Sequence, residues 1–146
     1  MSRVYLIAAD KPLPLREAEQ PWTRVMKLSE LFRNPELRGQ ERTVSGVSRF
    51  SIQEHRYYRG AVAELGLEMK NCQYELEVTN DQWGVDQLTA CLKENFFSGD
   101  TVELWSLWVG DTLGRPVRYS GSLADFDLET LQQFFSAEAI CITITI

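Results

Sequence analysis

His55 is the only histidine in the chain and stands in the run Glu54-His55-Arg56-Tyr57-Tyr58. An imidazole beside a carboxylate and a phenol has the residue types of general acid–base chemistry. Such a base needs a nucleophile to activate. Gly46-Val47-Ser48-Arg49-Phe50 falls one residue short of the G-x-S-x-G elbow, with Phe50 in place of the second glycine. That glycine lets a strand turn sharply into a helix. A strand is predicted here instead, so no catalytic residue is assigned and an enzyme is not the favoured reading.

Metal and cofactor chemistry have equally little support. One histidine and three widely spaced cysteines, Cys72, Cys91 and Cys141, give no zinc-type spacing. The glycines form neither G-x-G-x-x-G nor a P-loop. No metal and no cofactor is therefore expected. The odd cysteine count and the lack of Cys-x-x-Cys argue against a disulfide framework; each cysteine sits in an apolar pattern and reads as a small buried hydrophobe.

Two other sets of side chains could recognise a partner. Glu75 and Glu77 alternate along one predicted strand and so share a face, and Glu103 and Asp111 add carboxylates further on. The same pattern also describes the solvated side of a sheet. Arginine outnumbers lysine eleven to four, and six arginines fall between Arg33 and Arg59. Arginine and tyrosine are enriched at interface hot spots. A small anionic ligand would thus find Arg49, His55, Tyr57 and Tyr58 near one another in sequence. Trp22, beside Pro21 in a predicted loop, is the tryptophan expected to be exposed and to mark a contact.

Charge divides the chain. Residues 1–70 hold twelve Lys/Arg against nine Asp/Glu, a net +3, whereas residues 71–146 hold three against twelve, a net −9. Either the halves neutralise each other within one fold, or an acidic face meets a basic partner. The acidic majority disfavours nucleic acid. No apolar run approaches the roughly 20 residues that span a bilayer, and Val4–Ala9 is too short for a secretory h-region. A cytoplasmic protein without a membrane contact is the expectation.

These readings order the functional alternatives. The first is a non-enzymatic protein-binding module, a regulator or immunity-type partner, that sets Glu75, Glu77, Glu103, Asp111 and Trp22 against a basic protein. The second is a binder of, or enzyme acting on, a small anionic ligand near Arg49, His55, Tyr57 and Tyr58. The third is a homo-oligomer assembled through the uncharged strand 139–146.

The elements that must position these residues follow from periodicity. A length of 146 residues suits a single globular domain over 1–146. Residues 3–9 read as a buried strand and residues 10–22 as a loop. Thr23 is placed to cap a short helix ending at Asn34-Pro35, with loop over 35–46. Residues 47–54 alternate as a strand; residues 55–65 have helical spacing closed by Gly66, with a hairpin over 47–70 as the competing reading. Cys72–Thr79 alternates cleanly, 82–97 is the strongest helix, and 101–109 is a central strand. A hairpin is predicted over 101–120, with its second strand at an edge because of Pro116. Asp127 caps a helix over 128–135, and 139–146 is a strand. The fold class is α+β: a single mixed or largely antiparallel sheet of about five to six strands with three to four helices packed on it.

Overall fold

The computed structural model describes residues 2–29, 36, 39–110 and 115–146. Its strands are β1 (Ser2–Ala9), β2 (Arg16–Lys27), β3 (Glu41–Glu54), β4 (Cys72–Val78), β5 (Thr101–Val109), β6 (Val117–Ser122) and β7 (Ile140–Thr145). Its helices are α1 (Arg59–Glu64), α2 (Gln82–Asn95) and α3 (Leu128–Ser136), with a 3-10 turn at Leu123–Asp125. The α+β class holds, with one mixed sheet in the order β2-β3-β4-β1-β5-β7-β6. β3–β4, β4–β1, β1–β5 and β5–β7 are antiparallel, and β6–β7 is parallel. The chain divides into two compact units, residues 1–18 with 49–146, and residues 19–48.

In the larger unit, alternation sorts each strand onto two faces. One face carries Ile7, Phe50, Ile52, Leu76, Leu104 and Ile142 under α2 and α3. The other carries Val4, Leu6, Trp105, Leu107 and Cys141, covered by Val62 of α1 and by Leu67 and Met69 after it. Both longer helices are capped by an aspartate, α3 by the expected Asp127. Asp81 accepts a hydrogen bond from the Gly84 N–H at 2.8 Å, and Asp127 accepts one from the Thr130 N–H at 2.9 Å. Gly66 takes φ +66° just past α1, a left-handed conformation that ends a helix with little strain in glycine. Residues 47–70 are thus strand and then helix, not a hairpin.

Five expectations are corrected. Among the described residues the sheet has seven strands rather than about five to six. The loop predicted over 10–22 gives way to β2 from Arg16, and the first part of the helix predicted from Thr23 gives way to the same strand, which runs to Lys27, whereas Leu28 and Ser29 are helical. Thr23 and Val25 suit a strand as well as a helix, and pairing with β3 decides between them. Pro21 is tolerated because β2 is outermost. Residues 30–35 of that predicted helix lie outside the described residues. The loop predicted over 35–46 yields to β3 from Glu41; residues 37 and 38 are likewise outside the described set. Finally, residues 101–120 are not a hairpin: β7 lies between β5 and β6, and α3 provides the crossover that a parallel β6–β7 pair requires.

In the smaller unit, the Trp22 ring lies so close to Gly46 that a Cβ there would sit 2.5 Å from Trp22 Cζ2. The Arg24 guanidinium stands 4.6 Å from the Trp22 ring centroid. Trp22 is therefore a half-buried strand residue rather than an exposed loop residue.

Candidate functional site

The site is built on β4. Strand alternation sends Tyr74, Leu76 and Val78 into the core under α2 and turns Glu75 and Glu77 to the opposite face. Register with β3 places Ser51 opposite Glu77 and Gln53 opposite Glu75. Tyr58, immediately before α1, completes the surround. Together with Val4 these residues line a cleft of about 200 Å³. Arg3 also borders it, but its guanidinium is engaged elsewhere: it donates to Ser106 Oγ at 3.0 Å and to the Ala137 carbonyl, and stacks on Tyr5 and Trp108.

The cleft is acidic. The Glu77 side chain is exposed and makes no ion pair or hydrogen bond among the described residues. Glu75 is about one-third exposed, and among the described residues the basic group within 4 Å of it is the His55 imidazole, with Nδ1 3.8 Å from Oε1. That separation is beyond hydrogen-bond reach. The His55 side chain is only 2% exposed, and neither ring nitrogen has a hydrogen-bond partner. Burial lowers its pKa; the Glu75 carboxylate opposes that shift and the Arg59 guanidinium adds to it. Near neutrality the imidazole is therefore uncharged and does not cancel the charge of Glu75.

Other predicted residues lie elsewhere. Glu103 faces the same side of the sheet, but β1 separates β5 from β4. Its carboxylate accepts from the Lys70 N–H at 2.8 Å and from Trp105 Nε1 at 3.3 Å, which ties the segment after α1 to the sheet. Asp111 lies outside the described residues. Arg49 lies within β3, where its carbonyl accepts from the Thr79 N–H at 2.9 Å. His55 lies six positions further along the chain, about 20 Å away at strand spacing. Tyr57 is 92% exposed and lines an adjoining hollow of about 350 Å³ with Leu15, Glu54, Arg56 and Glu75. Arg56 pairs with Glu54. The structure thus gathers Glu75, Glu77, His55 and Tyr58, drawn from both predicted sets, and leaves Arg49 and Glu103 apart. Ser48 lies within β3, which continues to Glu54 with no strand-to-helix turn.

Comparison with protein-family models, curated proteins and solved structures found no match.

Ser51 and Gln53 were not singled out in the sequence. Their signal was the alternation of residues 47–54, but only the β3–β4 register shows that they face the carboxylates. Chemically, two carboxylates flanked by a hydroxyl, an amide and a phenol suit a guanidinium or ammonium group, which brings several N–H donors and a positive charge. Among the described residues no group of three or more His, Cys, Asp and Glu is placed to hold a metal ion. No helix among them is long and apolar enough to cross a membrane.

Proposed function

We propose that this chain is a non-enzymatic protein-binding module, a regulator or immunity-type partner, whose Glu75/Glu77 cleft receives a basic side chain of another protein. The observation that carries this reading is the convergence of two carboxylates on one cleft in which Glu77 has no partner and the nearest base, His55, is uncharged. Glu77 is exposed and Glu75 about one-third exposed, so both carboxylates are open to an arriving arginine or lysine, which adds charge-assisted hydrogen bonds. The −9 charge of residues 71–146 would steer such a partner, and steering of this kind weakens with salt. An anionic ligand is less well served: the Glu75 carboxylate lies 3.8 Å from His55, and Arg49 stands far along the strand.

The test is a pull-down from native lysate at low and high salt, read by mass spectrometry, with the wild-type chain and the Glu75→Gln/Glu77→Gln variant as baits. A basic protein captured in stoichiometric amount, released by salt and not captured by the variant, is the expected result. Equal capture by both baits, or capture insensitive to salt, would overturn the reading.

A further inference from the structure

The sheet ends on β6, and nothing among the described residues pairs with its outer side. All six of its residues are exposed. An edge strand is usually protected by charges, a bulge or a covering segment. Here the sequence Val117-Arg-Tyr-Ser-Gly-Ser122 holds one charge, and the Arg118 guanidinium is folded onto the Trp105 ring at 5.0 Å on one sheet face. On the other face Tyr119 stands 48% exposed, and Gly121 leaves open space where a side chain would be. That space is part of a groove of about 290 Å³ bounded by Phe126, Thr130, Gln133, Ile142 and Ile144.

From this pairing of an exposed ring with a vacant glycine on the same strand, we infer that β6 pairs antiparallel with β6 of a second copy, continuing the sheet across a two-fold axis. Antiparallel partners directly opposite each other must lie on the same face. Four registers satisfy that rule near the middle of the strand, and one of them, Gly121 with itself, sets Tyr119 opposite Leu123 of the 3-10 turn and leaves both glycines uncovered. Pairing Arg118 with itself opposes two like charges, which is unfavourable. Pairing Tyr119 with itself leaves both grooves empty. Pairing Ser120 with itself sets Tyr119 of each copy over Gly121 of the other, and Arg118 opposite Ser122. Each ring then covers a glycine and enters a groove lined by apolar and polar groups, which suits its apolar body and hydroxyl. The two-fold axis makes the contact twice, as in an isologous interface. β7, the strand whose sequence first suggested assembly, has both edges occupied by β5 and β6.

Sedimentation velocity over a concentration series tests this, together with cysteine cross-linking under mild oxidation. The wild-type chain is expected to show a concentration-dependent monomer–dimer equilibrium. Tyr119→Ala should weaken it on the order of tenfold, because the Tyr–Gly contact is lost twice. Ser120→Lys, which opposes two ammonium groups at the axis, should leave a monomer with an unchanged circular dichroism spectrum. Ser120→Cys should cross-link into dimers, whereas Arg118→Cys should not. A wild-type chain monomeric at every concentration, a dimer that survives Ser120→Lys, or cross-linking through Arg118→Cys in place of Ser120→Cys would each overturn the inference.

Discussion

Replacing Gly84 with alanine tests how tightly the strand bearing the two carboxylates is held. Gly84 is buried in the first turn of α2. A Cβ there would lie 2.2 Å from the Thr79 carbonyl oxygen and 2.9 Å from Val78 Cγ2. The carbonyl has little freedom to yield, because it accepts the Asp81 N–H at 2.8 Å while the Thr79 N–H donates to the Arg49 carbonyl at 2.9 Å. The helix must therefore lift, which also strains the Gly84 N–H bond to Asp81. Helix propensity alone favours alanine by about 1 kcal/mol. Overpacking opposes it by roughly 1–3 kcal/mol, and loss of the cap adds about 1 kcal/mol more. The net effect is a destabilisation of about 2 kcal/mol, or a fall of about 4–8 °C in Tm for a chain of this size. Gly60 in α1 is the internal control: a Cβ there meets nothing within 4 Å. Gly60→Ala should be neutral or stabilising by up to about 1 kcal/mol. Urea unfolding followed by tryptophan fluorescence reads both. Gly84→Ala as stable as Gly60→Ala would refute the packing argument.

Two further outcomes are expected. The native pKa of His55 is lowered by burial, so the unfolded chain takes up the proton first as pH falls through about 6.5. Stability should be flat above that value, decline below it, and level off under the native pKa; urea unfolding at pH 7.5 and 5.0 should show a smaller loss for His55→Leu than for wild type, and equal losses would exclude His55 as the source. Burial raises the Cys91 thiol and pushes Cys141 up to about 11, whereas Cys72 is partly accessible; a thiol reagent at pH 8 should therefore modify one cysteine in the folded chain and the other two only on unfolding, and prompt reaction of all three would contradict the burial.

What could be read from the sequence was set by how local its cause is. Tyr74, Leu76 and Val78 alternate with glutamates, and Asp127 sits one residue before an apolar helical stripe, so β4 and α3 are legible from near neighbours. β2 is not: none of its residues is buried, so no apolar stripe marks its period, and Thr23, Val25 and Leu28 fit a helix equally well. The order of β5, β7 and β6 depends on a crossover that brings together residues more than 20 positions apart, which no window of sequence contains. The site divides in the same way. The shared face of Glu75 and Glu77 follows from strand period alone. The cleft follows from β3 register and from the placement of α1, and the separation of Glu103 follows from β1 lying between the strands. The grouping of Arg49 with His55 failed because closeness along an extended strand is not closeness in space.

The central claim is that the Glu75/Glu77 cleft takes a cationic side chain. Its most direct test is a heteronuclear NMR titration of the chain with N-acetyl-arginine amide, at low salt. The account predicts weak, saturable binding of about millimolar strength, with amide shifts clustered on Ser51, Gln53, Glu75 and Glu77 and abolished by Glu77→Gln. Shifts that scatter over the surface, or that persist unchanged in Glu77→Gln, would contradict it.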